Sequence, residues 1–185
     1  MNTSEGSLSQ EEREALIRLL HDSGKEFLDL TATVTDSQWS LKRAPDSWSV
    51  QQAAEHLVLG EEAMLGRIMQ ALADPAVPDW QAEDARKTKF LSRVVPDRSR
   101  KAIAPAPLEP HHQWNREETL ARYQKGRART LKFAEEVDLP VKTHASEHPF
   151  PVFNMLNVYQ WLLYIPLHNL RHNQQIAEAL KDPAR

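Results

Sequence analysis

The sequence predicts an all-α protein, a four-helix bundle with a long irregular connection between its second and third helices. Three observations support this prediction. Apolar residues recur at helical spacing in four long stretches. Glycine is scarce, with 5 among 185 residues, and no strand-like alternation of apolar and polar residues is bounded by tight-turn signals. Amphipathic helices of this length, joined by one long crossover, are typical of a bundle.

Local signals place the ends of the four helices. The apolar periodicity predicts helices over about residues 10–34, 50–73, 116–137 and 154–180. The first three begin at capping signals, in which Ser or Asn is followed three residues later by Glu or Gln: Ser9 with Glu12, Ser49 with Gln52, and Asn115 with Glu118. Pro75 ends the second helix, because proline cannot continue the helical hydrogen-bond ladder.

The connection over residues 75–114 is unusually long for a compact domain. It carries six prolines, and only Gln81 to Val95 is predicted to form a short helix. The connection also holds a set of basic residues: Arg86, Lys87, Lys89, Arg93, Arg98, Arg100 and Lys101. We interpret it as a solvated loop in preference to an anion-binding lid, because charge runs are usually solvated. Whether it serves as a lid, a dimer arm or a mobile loop stays open.

Composition excludes several classes of protein. The chain has no cysteine, which excludes disulfides, cysteine-ligated metals and a cysteine nucleophile. The net charge of −3 and the scattered basic residues predict no nucleic-acid partner. No signal peptide and no apolar stretch of ~18 residues is present, so we expect no membrane span and a soluble, cytoplasmic protein. We expect one domain over residues 9–185 after a flexible N-terminus, residues 1–8.

The main functional signal is a pair of histidines one helical turn apart, His168 and His172. Residues at i and i+4 share a helix face, with Cβ atoms roughly 5–6 Å apart, so the two imidazoles can hold one divalent metal ion. A third candidate is His56, which lies in an apolar stretch of the second helix and needs a partner if it is buried. Three nitrogen ligands with an open position suit a catalytic metal.

Other polar residues give weaker signals. We interpret five histidines as surface or boundary residues: His21, His111, His112, His144 and His148. The acidic residues close to His56 on the same predicted helix are interpreted as mostly solvated: Glu55, Glu61 and Glu62.

Three aromatic residues are candidates for the walls of a pocket: Trp48, Trp161 and Tyr164. Trp161 and Tyr164 lie seven and four residues before His168, on the same helix face. Pro166 lies between them and His168, and should kink the helix because it removes one backbone donor. Such a bend either shapes the pocket or is simply tolerated.

Two segments of the chain resemble DinB-like (YfiT-type) proteins. The first runs from Asp46 to Leu57 and contains the Trp48, Val50 and His56 of a W-S-V-x-x-x-x-x-H-L pattern. The second, near the C-terminus, carries the histidine pair in an H-x-x-x-H-x-x-Q-I pattern that ends at Ile176.

The resemblance spans about residues 9–181 and implies several properties. The fold would be an up-down-down-up four-helix bundle, often a homodimer. His56, His168 and His172 would hold a divalent metal. The long connection and Pro166 depart from the usual family pattern.

Family members differ in activity, which leaves several functions open. Some resemble metal-dependent transferases that activate a low-molecular-weight thiol, and others resemble hydrolases or isomerases on the same site. The leading hypothesis is a thiol S-transferase with zinc or nickel, a small-molecule thiol as co-substrate and an electrophilic small-molecule substrate. The alternatives are a metal-dependent hydrolase on the same site and a non-catalytic metal-binding or stress-response bundle.

Overall fold

The structure, a computed structural model, describes residues 5–78, 80–99 and 101–181. In these ranges it contains six α-helices and one two-stranded antiparallel sheet. The elements in chain order are α1 (Gln10–Ala32), α2 (Asp36–Ser40), α3 (Val50–Ala73), α4 (Gln81–Val94), α5 (Arg116–Glu136), β1 (Ala145–Glu147), β2 (Met155–Asn157) and α6 (Val158–Leu180). A single 3-10 turn, Ala106–Leu108, lies between α4 and α5.

The four long helices form the bundle. Helix α1 packs against α5 and α6, and α3 packs against the same two helices from the other side. Arg13, near the start of α1, donates a hydrogen bond to the carbonyl of Val137, just after α5 (2.6 Å). Arg116, at the start of α5, donates to the carbonyl of Thr31 near the end of α1 (2.7 Å). Helices α1 and α5 are therefore antiparallel.

Contacts at the other helix pairs give the remaining directions. Glu55, near the start of α3, accepts a hydrogen bond from the N–H of Gln113, just before α5, so α3 and α5 run the same way. His56, also near the start of α3, lies against His172 of α6, and Gly60, one turn later on α3, faces His168, one turn earlier on α6, so these helices are antiparallel. The order is up-down-down-up, which the family resemblance implied.

Capping boxes start each long bundle helix. The three predicted from the sequence are present, each with both reciprocal hydrogen bonds. A fourth joins Asn157 to Gln160 at the start of α6. The predicted start of that helix at residue 154 is therefore wrong, because residues 155–157 pair with β1 and the cap follows them. The short helix α2, capped by Thr35, was also not predicted.

The apolar core has two parts, one toward each end of the bundle. One part surrounds Leu20 and Ile68, and the other surrounds Phe27 and Tyr123, whose rings are 4.2 Å apart. Helix α6 contributes to both parts and continues as one helix on either side of the buried Pro166. No helix in the described part of the chain has the length and apolar character that a membrane span needs.

The segments outside the bundle pack onto it. The predicted short helix in the long connection is confirmed as α4, which packs on α6. Residues 1–4, part of the N-terminal segment predicted to be flexible, lie outside the described residues. Arg100, one of the basic residues of the long connection, also lies outside them. Gly6 accepts a hydrogen bond from the N–H of Lys142 (2.9 Å), and Leu8 is buried in the core. These contacts fix the chain just before α1.

Candidate metal centre

Three histidines from two helices meet at one point between α3 and α6. Nε2 of His168 lies 3.1 Å from Nε2 of His56 and 3.1 Å from Nε2 of His172. One ligand atom from each of the three falls within 4.8 Å of the others. The structure thus brings together the three residues that the sequence singled out, and we call them the triad.

The spacing of the triad fits a single metal ion. Two nitrogens that each lie about 2.0–2.1 Å from a zinc-sized ion, with about 90–110° between them, are about 2.9–3.4 Å apart. Both 3.1 Å separations fall in that range. In the part of the chain that the structure describes, no other group of His, Asp or Glu side chains has such an arrangement.

Hydrogen bonds behind the rings determine which nitrogen faces the centre. Nδ1 of His56 is 2.8 Å from the carbonyl oxygen of Leu108, so it carries the proton and donates it. Nδ1 of His172 donates in the same way to Oε1 of Gln175, also at 2.8 Å. Both rings therefore present an unprotonated Nε2 to the centre, as metal-ligating histidines usually do when their second nitrogen is held.

The triad is neutral at neutral pH. Burial, followed by the neighbouring histidines, holds the pKa of His168 and His172 well below the usual value, and burial lowers the pKa of His56. A proton on Nε2 of His168 can point to only one of the other two nitrogens. At least one buried Nε2 lone pair then lacks a hydrogen-bond donor, which costs free energy. A cation at the centre would interact favourably with all three Nε2 atoms.

A glycine lets the two helices approach at the triad. Gly60 lies one turn after His56 on α3, facing the ring of His168. A Cβ added at this position would lie 3.2 Å from Cε1 of that ring, closer than carbon atoms normally pack. His56 and His172 are buried, and His168 as a whole residue is half-buried.

Two of the three predicted wall residues touch the triad. The Trp48 ring lies 4.8 Å from the His56 ring and stacks on His172 at 5.9 Å. The Tyr164 ring stacks on His168 at 5.9 Å. Trp161 stands one layer further away, 6.1 Å from Tyr164. The structure therefore places Trp161 beside Tyr164, and its role as a wall of the pocket stays a prediction.

His148 is buried, and its prediction as a surface residue is wrong. Its ring stacks on Trp161 and lies against Tyr164, with both centroid distances at 4.9 Å. Nδ1 accepts a hydrogen bond from the N–H of Phe150, and burial lowers the pKa of His148 to about 4. The nearby aromatic residue Phe150 was the feature of the sequence that could have indicated the burial of His148. Three of the other predicted surface histidines are exposed, and the fourth is half-buried: His21, His111, His112 and His144.

Glu55 is also buried, which corrects its prediction as a solvated residue. Its Oε1 accepts hydrogen bonds from the backbone N–H groups of His111 (3.0 Å) and Gln113 (3.3 Å). His112, between them, has a φ of 58°, in the left-handed region. A turn of this kind directs successive N–H groups to one side, where they form an anion-binding concavity.

The same stretch of chain also contacts the triad. Residues 105–113, which we call the strap, supply the carbonyl of Leu108 to His56 and two N–H groups to Glu55. Two successive residues of α3 therefore hold one segment of the long connection. The strap is irregular, as predicted, but it is attached to the site rather than solvated on all sides.

Glu61 likewise differs from its predicted solvated state. It forms a buried ion pair with Arg127 (3.0 Å) and accepts a hydrogen bond from Thr130 (2.6 Å). Arg127 also donates to Oδ1 of Asn169, the residue directly after a triad histidine (2.8 Å). This polar cluster joins α3, α5 and α6 behind the site. Glu62 is exposed, as predicted.

Known proteins with similar sequence or structure agree with this architecture. The family model of the DinB superfamily matches residues 19–176. The chain is 25% identical over 151 residues to "Uncharacterized protein YuaE" of Bacillus subtilis (strain 168), a match that covers 78% of this chain and 85% of YuaE.

A solved structure has a similar fold. It is described as "YfiT from Bacillus subtilis is a probable metal-dependent hydrolase with an unusual four-helix bundle topology". The TM-score is 0.60 at 17% identity, over 94% of this chain and 88% of that chain. At this identity the similarity shows the fold. Since the family model covers well over half of the sequence, the chain belongs to the DinB superfamily.

Proposed function

We propose that the protein is a metal-dependent enzyme whose triad holds one divalent ion and leaves part of its coordination open to small molecules. The observation that carries the proposal is the arrangement of three Nε2 atoms around one point, two of them in rings held from behind. Three protein ligands are typical of catalytic sites, whereas structural zinc sites have four.

A divalent ion at this site would lower the pKa of a thiol or a water molecule bound to it and so supply a nucleophile near neutral pH. The protein's own residues provide the setting. The neutral triad leaves the ion's positive charge uncompensated. The rings of Trp48 and Tyr164 cover the histidines and limit the access of water.

We favour a thiol as the nucleophile, and therefore S-transfer to an electrophilic small molecule. A thiol has an ordinary pKa of about 8.5, against about 15.7 for water, so a thiol bound to a cation ionises more readily than water does. Because the chain lacks cysteine, the thiol would come from a small molecule. Zinc or nickel suits a site of three imidazoles.

Hydrolysis on the same site is the second candidate. It is favoured by the similarity to YfiT, which is described as a probable metal-dependent hydrolase. In this case water would occupy the position that the thiol takes in the first proposal.

The experiment that separates the two is a turnover assay of metal-loaded protein on electrophilic substrates and esters, with and without added thiols. Turnover that requires a thiol supports S-transfer, and turnover in water alone supports hydrolysis. The variant His168→Ala should lose either activity, while His21→Ala, at an exposed position on α1, should keep it. No thiol-dependent or hydrolytic turnover by fully metal-loaded protein would contradict the enzymatic proposal.

A further inference from the structure

The residue directly after each α6 histidine of the triad is a buried asparagine. Asn169 follows His168, Asn173 follows His172, and both asparagines are fully buried. Because successive residues of a helix lie about 100° apart, the two asparagines share a second face of α6, next to the face that carries the histidines. A buried amide needs partners for its oxygen and its nitrogen, so hydrogen bonds must hold this second face.

Asn169 is held by two residues of α5. Its Oδ1 accepts hydrogen bonds from the hydroxyl of Tyr123 and from Arg127 (2.8 Å). Arg127 is itself fixed by the buried ion pair with Glu61 on α3. A Cβ added at Gly24 of α1 would lie 3.2 Å from Nη1 of Arg127 and 3.4 Å from the hydroxyl oxygen of Tyr123. The glycine at this position therefore leaves room for both side chains.

Asn173 connects the same face of α6 to α1. Its Nδ2 donates hydrogen bonds to the backbone carbonyl of Ser23 (2.9 Å) and to the carboxylate of Glu26 (2.8 Å). Its Oδ1 accepts a hydrogen bond from Nδ2 of Asn169 (2.8 Å), so the two asparagines form one continuous chain of hydrogen bonds. We call Asn169 and Asn173 the asparagine pair. Directional contacts to both α1 and α5 thus hold the face of α6 next to the triad.

Small rotations of α6 about its axis would displace the ligand atoms of the triad. Side-chain tips lie about 5–6 Å from a helix axis, so a rotation of about 10° moves such an atom by about 1 Å. Metal–nitrogen distances in a working site vary by only about 0.2 Å. Apolar cores tolerate altered packing, whereas hydrogen bonds weaken as their geometry changes. Hydrogen bonds are therefore better suited than apolar packing to fix the rotation of this helix.

We propose that the asparagine pair positions His168 and His172 for the metal by fixing the rotation of α6 relative to α3. The inference rests on the proposed function, because it requires an ion at the triad. Arg127 links the two helices, since it donates to one asparagine of α6 and to Glu61 of α3. Glu61 directly follows Gly60, which faces the ring of His168, so the link lies where α3 and α6 approach each other at the triad.

The test measures the affinity for Co²⁺ and the visible absorption of the bound ion, which reports its coordination geometry. Asn169→Ala removes the acceptor of both α5 hydrogen bonds and the donor to Asn173. We expect its affinity to fall about tenfold, the lower end of the range for groups behind a metal ligand, and its cobalt spectrum to change. Tyr123→Phe removes one donor and keeps the ring in the core, so we expect a loss of about threefold.

Thr130→Val is the matched control. It removes a hydrogen bond to Glu61 (2.6 Å) from the same buried cluster and leaves every hydrogen bond of the asparagine pair in place. Urea unfolding of the metal-free protein should show a loss of stability, as for Tyr123→Phe, but the cobalt affinity and spectrum should stay those of the wild type. A fall in affinity as large as that in Tyr123→Phe would show that lost stability alone weakens the site, which would overturn the inference.

Two further results would overturn the inference, and they can be distinguished. Wild-type affinity and spectrum in folded Asn169→Ala would contradict the positioning role alone. If that variant does not fold, the same result in Tyr123→Phe decides instead. Failure of the wild-type protein to bind Co²⁺ would contradict the proposed metal centre, and the inference with it.

Discussion

Nδ1 of His56 donates a hydrogen bond to the carbonyl oxygen of Leu108, 52 residues further along the chain, at 2.8 Å. The backbone of the long connection thereby fixes the tautomer of a triad histidine on α3. Partners of this kind behind a metal ligand typically change metal affinity by about 10–100-fold when they are lost. The strap is therefore part of the site, although none of its side chains belongs to the triad.

The first prediction concerns the attachment of the strap. Glu55→Ala should lower metal affinity about tenfold or more, because two backbone N–H groups lose their acceptor and the Leu108 carbonyl is released. Glu55→Gln keeps an acceptor oxygen and should have a smaller effect. Competition with a chelator measures the affinity. Glu62→Ala, on the exposed side of the same helix, is the control. Wild-type affinity in Glu55→Ala would show that the strap does not position His56.

The second prediction compares two glycines of α3. Gly60→Ala places a Cβ 3.2 Å from the ring of His168 and should weaken metal binding by displacing that ring. Nothing lies within 4 Å of a Cβ at Gly66, so Gly66→Ala should stabilise the helix by about 0.5–1 kcal/mol and leave metal binding unchanged. Urea unfolding and metal titration of both variants test this contrast. Equal metal affinities in the two would refute it.

The third prediction concerns pH and His148. Burial lowers its pKa from about 6.5 in the unfolded chain to about 4, so the unfolded state binds more protons between these values. His148 therefore contributes full stability above about pH 6.5 and progressively less as the pH falls toward about 4. His148→Phe should make the melting temperature less dependent on pH across this window. An unaltered pH dependence of the melting temperature in His148→Phe would contradict the lowered pKa of His148.

The fourth prediction concerns the ion pair behind the site. Arg127→Ala should destabilise the fold by about 3–5 kcal/mol, because Glu61 would remain buried without its cation. Arg129→Ala breaks a 3.9 Å pair with Glu62 on the surface and should cost at most about 1 kcal/mol. Chemical denaturation of both variants gives the comparison. A similar loss of unfolding free energy in Arg127→Ala and Arg129→Ala would show that the buried ion pair stabilises the fold no more than the surface pair does.

The sequence predicted the parts of the site that depend on local spacing. His168 and His172 share a helix face because they are four residues apart, and His56 lies in an apolar stretch that turns it inward. The capping residues likewise act within one turn, so Ser9 and Ser49 could be identified without knowledge of the tertiary structure.

Features that depend on distant partners could not be predicted in this way. The buried carboxylate of Glu55 accepts hydrogen bonds from backbone N–H groups more than 50 residues away, and the residues next to Glu55 in the sequence do not indicate that contact. His148 is held by rings of α6. Strands of three residues, such as β1, are too short to show an alternating pattern.

The central claim is that the triad binds one divalent metal ion, and elemental analysis tests it most directly. Untagged protein, purified without chelators, would be measured beside the triple variant His56→Ala, His168→Ala, His172→Ala. We expect one divalent ion per chain in the wild type, with zinc or nickel as the leading candidates, and none in the variant. No metal in either protein, even after incubation with divalent ions, would contradict the account.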